Sequence, residues 1–158
     1  MKRAITGAVV GFLAALALPA RHSLGQSAAP ATPAAQETVI GLSVRSAHRA
    51  YPTTLFSERR VVNDVIGDME VAVFHDPERG VSAAWFRMVR GEPIEFSGNA
   101  TGTVAEDLTT VTRWDLATGV AVAGNLQGQR LAALPVSTTS WAGWAATHPN
   151  AQLYHDGR

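Results

Sequence analysis

The sequence predicts a mainly β (α+β) fold: a single β-rich domain of short strands with one short C-terminal helix that carries tryptophan. Three observations predict it. From position 37 onward, turn-forming Gly, Pro, Asn and Asp punctuate short apolar runs. Those runs are rich in Val, Ile, Thr and aromatic residues, the types that suit a pleated, half-buried surface. One stretch alone, WAGWAATH at 141–148, places large apolar side chains at helical spacing behind residues able to cap a helix.

The N-terminus reads differently. Met1-Lys2-Arg3 is a basic start, and positions 4–20 are almost wholly apolar, broken by Thr6 and Pro19. Small residues follow, including Ser23, Gly25, Ser27 and Ala29. That order is the pattern of a secretory signal peptide. A 17-residue apolar run rich in Ala and Gly falls short of the roughly 20 residues of a membrane-spanning helix. The expected organisation is a signal peptide over 1–26, cut between Gly25 and Ala31, a disordered Ala/Pro linker over 27–36, the β-rich domain over 37–154, and a tail over 155–158. The expected location is periplasmic or secreted, with membrane contact only through an uncleaved leader. No Cys lies near the cut to carry a lipid.

Each element follows from local residues. Val39, Leu42 and Val44 form a first apolar segment, with Gly41 as a possible bulge. Ala50-Tyr51-Pro52 is extended, because the residue before a proline avoids the helical region. Val61–Ile66 is a second apolar run, turned at Gly67-Asp68. Glu70–Phe74 puts Val71 and Val73 on one face and Ala72 and Phe74 on the other, which predicts a central strand buried on both sides. Asp76-Pro77-Glu78-Arg79-Gly80 has turn chemistry throughout, and Val81–Met88 resumes the strand. After a turn at Gly91, a short strand is expected over Glu92–Phe96, a turn at Ser97-Gly98-Asn99, and strands over Thr101–Val104 and Thr109–Asp115. Val120–Ala123 follows Gly119, Leu126–Gly128 is a loop, and Arg130–Leu134 is apolar up to Pro135. Thr138, Thr139 and Ser140 offer caps to the helix, Pro149 stops it, and Ala151–Tyr154 adds a closing strand.

Composition excludes several function classes. Lys2 is the only lysine; from Ser27 onward ten Arg face thirteen Asp and Glu, a net charge of −3. With the arginines dispersed there is no basic face for nucleic acid, and Arg59-Arg60 reads as a solvated strand end. The absence of cysteine removes thiol nucleophiles, thiolate metal ligands and dithiol redox chemistry.

Three segments in order resemble one bacterial family, the domain of unknown function 3179. The first carries Ala50-Tyr51-Pro52, Val62-Asn63-Asp64 and Gly67. The second is TRWDLATGVAVAGNLQGQRLAALP, with Gly124, Leu126, Gly128 and Leu131. The third is the closing Trp141, Trp144, His148 and Pro149. The likeness spans Glu37–Tyr154. Many members of that family carry Cys-Pro-x-Cys-Gly after the apolar strand, where this chain has Asp76-Pro77-Glu78-Arg79-Gly80. The turn residues Pro77 and Gly80 are kept and the sulfur is gone, so a redox or thiolate-metal role of such members is not inherited. Asp76 and Arg79 are instead placed to form a salt bridge across the turn.

The candidate reactive residues are His75, Asp76 and Glu78, with Asp64 as a further acid or base. Imidazole plus carboxylate suits zinc or manganese, and His75 is the candidate ligand, though a site would need help from His48, His148 or His155. The commoner reading is a solvated turn for the first three, and for Asp64 a turn cap or bonds to backbone amides around Gly67. Glu106 and Asp107 are adjacent, so on a strand they face opposite ways. Candidate ligand-binding aromatics are Trp141, Trp144, Tyr51 and Trp114; a Trp pair on a short helix more often anchors it to a sheet. His148 suits the helix C-terminus. No cofactor is expected. The function expected is a non-catalytic binding or interaction module of the cell envelope, its partner a small ligand or an envelope protein. The alternative is a metal-assisted or acid/base, hydrolase-like enzyme using the His75-Asp76-Glu78 turn.

Overall fold

The computed structural model describes residues 32–156, so the expected signal peptide, the first part of the linker and the last two residues lie outside the described residues. The strands are β1 (Thr38–Val44), β2 (Ala47–Pro52), β3 (Val61–Ile66), β4 (Met69–Asp76), β5 (Val81–Phe86), β6 (Met88–Val89), β7 (Glu92–Pro93), β8 (Phe96–Thr101), β9 (Val104–Asp107), β10 (Thr112–Asp115), β11 (Val120–Gly124), β12 (Ala132–Leu134) and β13 (Val136–Ser140). The helix α1 (Trp141–Thr147) and β14 (Gln152–Leu153) complete the order, and a 3₁₀ turn covers Thr53–Ser57. The fold is mostly β with one short helix, as the residues predict.

Three four-stranded sheets stack in layers. The helix-side sheet has the order β13-β1-β2-β14, the middle sheet β12-β5-β4-β3, and the far sheet β11-β10-β9-β8. β6 and β7 pair as a separate small hairpin. The alternation of β4 explains the stacking. Val71 and Val73 pack with Ile40, Leu42, Tyr51, Phe56 and Val62 toward the helix-side sheet. Ala72 and Phe74 pack with Trp85, Phe96, Trp114 and Leu116 toward the far sheet. All four β4 residues are fully buried, so the expected central strand is found. Complete burial of a side chain the size of Val or Phe contributes about 1.5–3 kcal/mol, which makes this strand the main source of cohesion.

The helix-side sheet is also covered on its second face. Val39 and Ala50 pack against Trp144 of α1, with Trp141, Ala151 and Leu153 around them. Here the expectation for Gly41 is corrected. β1 runs unbroken through Gly41, which pairs with Ala50 on one side and Ser137 on the other. The glycine is required because a Cβ there would lie 2.3 Å from the Trp144 ring. It makes room for an indole; it does not form a bulge.

Several other boundaries move. Ser97-Gly98-Asn99 is not a turn but an irregularity inside β8, whose pairing with β9 shifts between Phe96 and Ala100; Gly98 sits at φ 78°. The reversal comes later, at Gly102, so the expected strand over Thr101–Val104 straddles a turn. The strand expected over Glu92–Phe96 divides into β7 and the start of β8, and that expected over Val81–Met88 into β5 and β6. Thr138-Thr139-Ser140 does more than cap. These residues end β13, an edge strand paired with β1, and only Ser140 caps α1, accepting from the Gly143 N–H at 3.2 Å. The described end of the linker segment is tied down: the Ala35 carbonyl accepts from the Ala142 N–H at 3.0 Å. Among the described residues, no helix is long and apolar enough to cross a membrane.

Candidate functional site

The His75–Gly80 turn joins β4 to β5, and the structure spends its polar groups internally. Asp76 is buried, and its carboxylate accepts from Arg79 Nη1 at 2.6 Å, Arg60 Nη1 at 3.2 Å and the Glu78 N–H at 3.0 Å. The bond from Arg79 holds Asp76 below the usual carboxylate range, and the pairing raises Arg79 in turn. Glu78 is exposed and bound by Arg60 Nη2 at 3.0 Å. Arg60 is thus a partly buried clamp on the turn, which corrects its reading as a solvated strand end. Arg59 pairs with Asp156, Nη1 to Oδ1 at 2.8 Å.

His75 points the other way. Its ring meets Phe56 edge-on at 5.6 Å between centroids, and Nδ1 lies 3.0 Å from Ser82 Oγ. Burial lowers its pKa below 6.5, so the neutral form is favoured at neutral pH. The β alternation that separates His75 from Asp76 therefore places the two groups in different surroundings.

Asp64 forms a second closed cluster. Its carboxylate accepts from Arg49 Nη1 at 2.6 and 2.7 Å, from the Tyr51 hydroxyl at 2.7 Å and from the Val65 N–H at 2.7 Å. Burial, then the neighbouring Asp64 charge, pushes the Tyr51 hydroxyl well above its ordinary value. The bond from the Val65 N–H is of the backbone-amide kind expected near Gly67, but the main partners are Arg49 and Tyr51, so Asp64 also ties β3 to β2.

Of the aromatic candidates, Tyr51 and Trp114 are fully buried and cannot touch a ligand. Trp114 donates Nε1–H to Asp107 at 2.7 Å. Trp144 is buried over Gly41 and stacks on His148 at 3.8 Å between centroids, as expected of an anchor. His148 packs in turn on His48 at 4.5 Å and caps α1 through its N–H to the Trp144 carbonyl at 2.9 Å. Trp141 is half-buried beside them. The four candidates His75, Asp76, Glu78 and Asp64 do not converge: among the described residues no group of three His, Asp or Glu side chains is placed to hold a metal.

Two features escape the sequence reading. Asp107 is wholly buried while Glu106 is exposed, and the Asp107 carboxylate also accepts the Thr110 hydroxyl at 2.6 Å. An acid three residues before a Thr, at a turn between β-prone runs, is the available signal. Arg87 is nearly buried; it donates to the carbonyls of Ile94 (2.9 Å) and Val71 (3.2 Å) and pairs with Glu70.

A sizeable concavity lies elsewhere, where the β3 edge meets β8. It encloses about 650 Å³, within the range typical of ligand sites (roughly 300–1,000 Å³). Glu58, Arg59, Asn63, Arg87, Glu95, Ser97, Asn99 and Tyr154 line it, so all three layers contribute. Asn63 sets its floor, giving to the Phe96 carbonyl at 2.8 Å and accepting its N–H at 3.0 Å. Arg59 and Arg87 are engaged with Asp156 and Glu70, while Glu58 and Glu95 are exposed and meet no cation among the described residues.

No curated protein and no solved structure matches the chain. A family model does, over residues 21–156, which includes every described element together with the Val62-Asn63-Asp64 and Trp141/Trp144 segments. The chain therefore belongs to the family described as "Protein of unknown function (DUF3179)", a member with Asp76 and Arg79 at its β4–β5 turn and no cysteine.

Proposed function

We propose that this protein is an exported, non-catalytic binding module of the bacterial envelope, and that its ligand occupies the polar groove between β3 and β8. One observation carries the reading. Every side chain suited to acid–base or metal chemistry in the β4–β5 turn and at Asp64 is already committed to an internal partner, whereas the groove presents the exposed Asn99 amide and two exposed carboxylates, Glu58 and Glu95, that meet no cation among the described residues. A general base must reach a substrate proton, and a metal ligand needs a free lone pair aimed at a shared point. Asp76, held by two arginines, offers neither. The leader over 1–26 supports export, and the lack of cysteine is compatible with an oxidising compartment because the core needs no disulfide.

The hydrolase-like alternative makes the opposite demand on the same turn, so one experiment separates them. Purified protein is equilibrated with zinc and manganese, desalted and assayed for metal, alongside His75→Ala and Asp76→Ala. The expected result is no stoichiometric metal in any of the three and a lower melting temperature in both variants. Stoichiometric metal that either substitution removes without unfolding the chain would establish the alternative. Export is checked by the mass of the protein recovered from the periplasmic fraction of an expressing bacterium; the expected mature N-terminus lies between positions 26 and 31.

A further inference from the structure

We propose that the outer edge of β13 is an interface for a second copy of this chain, joining two helix-side sheets into one continuous sheet across a two-fold axis. Hydrogen-bond parity across the helix-side sheet sets the direction of each backbone group. The Tyr154 N–H donates to the Ala50 carbonyl, so Ala50 points its backbone groups toward β14. Alternation then directs Tyr51 and Arg49 toward β1, and Val39 and Gly41 toward β13. The Trp141 N–H donating to the Glu37 carbonyl continues the same parity. Ser137 and Thr139 therefore bond to β1, while Val136, Thr138 and Ser140 present their backbone groups outward. Thr138, at the centre of these, is exposed.

Several other sheet edges are short or partly occupied. β14 has only two residues. On β3, the Val65 N–H is taken by Asp64 and the Val65 carbonyl by Arg49. The Val120–Gly124 edge is covered by the returning chain, through Ala121 to Gln129 and Gly128 to Ala121. At β8, Asn63 occupies both backbone groups of Phe96. Natural sheets blunt an exposed edge with charge, proline or a covering segment. Past Pro135 no segment among the described residues covers the β13 edge, and from Leu131 to Thr147 the chain carries no ionisable side chain.

That neutrality identifies the occupant. A two-fold pairing sets each residue against its own copy or its mirror position, so any charge on the edge would meet a like charge. A Ser/Thr strand faces itself without that repulsion, and cross-strand Thr pairs are favourable. Antiparallel pairing centred on Thr138 would oppose the two Thr138 residues directly and Val136 to Ser140. The β3–β8 groove lies at the other side of the sandwich, since β13 packs beside β5 whereas β3 packs beside β2 and Tyr154, just after β14, lines the groove. Both grooves would stay open in the dimer.

The absence of cysteine makes the test clean. In a directly opposed hydrogen-bonded pair the Cα atoms are about 5.5 Å apart, within the span a disulfide bridges. Thr138→Cys is oxidised mildly next to Leu108→Cys, an exposed control in the far sheet region, and the wild type is followed by sedimentation velocity from low to high micromolar concentration. The expected results are a concentration-dependent dimer and rapid cross-linking of Thr138→Cys alone. Thr138→Pro, which removes an N–H the monomer does not use, and Thr138→Lys, which sets like charges together, should each weaken association roughly tenfold or more. A wild type that stays monomeric throughout, cross-linking of both cysteine variants at one rate, or a dimer indifferent to both Pro and Lys would each overturn the proposal.

Discussion

Asp76 and His75 are neighbours in sequence with opposite duties, and their titrations separate those duties. The bond from Arg79 depresses Asp76 in the folded state, so its contribution to stability is complete above the unfolded value near 3.8 and is lost as pH falls through the lower folded value. Asp76→Asn is expected to flatten this acid limb in urea unfolding followed below pH 4. Burial depresses His75, so folding disfavours its protonation. Stability should be full above pH 6.5 and decline as pH falls below it until the folded form also takes a proton. His75→Gln should remove that slope below pH 6.5. Val111 is a different case: a β-branched residue, exposed, at φ 55°. The left-handed region costs a side-chain-bearing residue about 1–2 kcal/mol, so Val111→Gly or Val111→Asn should stabilise the protein by about 0.5–1 kcal/mol and raise its melting temperature. Of these residues, the turn chemistry around Asp76 is legible in the sequence because its partners Glu78 and Arg79 are local. The Arg60 clamp and the Arg49–Asp64–Tyr51 cluster are not, because strand pairing alone brings them together.

At the level of elements, the contact between α1 and β1 depends on a glycine. Gly41→Ala would drive a methyl into the Trp144 ring and should cost about 2–3 kcal/mol by overpacking. Adding Gly41→Ala to Trp144→Ala should cost almost nothing more than Trp144→Ala alone, a non-additivity that a double-mutant cycle measures by chemical denaturation. Independent costs for the two substitutions would show that the glycine has another purpose. The elements also show what a pattern can reveal. β4 announces itself through two apolar faces, and α1 through its cap and Trp spacing. β13 hides because VSTTS is polar, as an edge strand facing water can be. β8 hides because its irregularity at Gly98 looks like a turn when its partner strand is unknown.

For the whole molecule, the layering sets a gradient of stability. Amides of β4, bonded on both sides between two buried faces, should be the slowest to exchange with solvent, and those of α1, attached chiefly through Trp144, among the faster ones. Hydrogen exchange followed by mass spectrometry checks this order; protection greatest in α1 would contradict it. The groove, built from three layers, is invisible in any one segment of the sequence, which is why local motifs point to the turn and not to it. The decisive question is whether that turn is scaffold or reactive centre. An NMR titration of the His75 ring, with and without zinc, answers it most directly. A scaffold histidine should titrate below 6.5 with signals that zinc leaves in place. A midpoint above 6.5, or His75 and Asp76 resonances that move together on adding zinc, would contradict it.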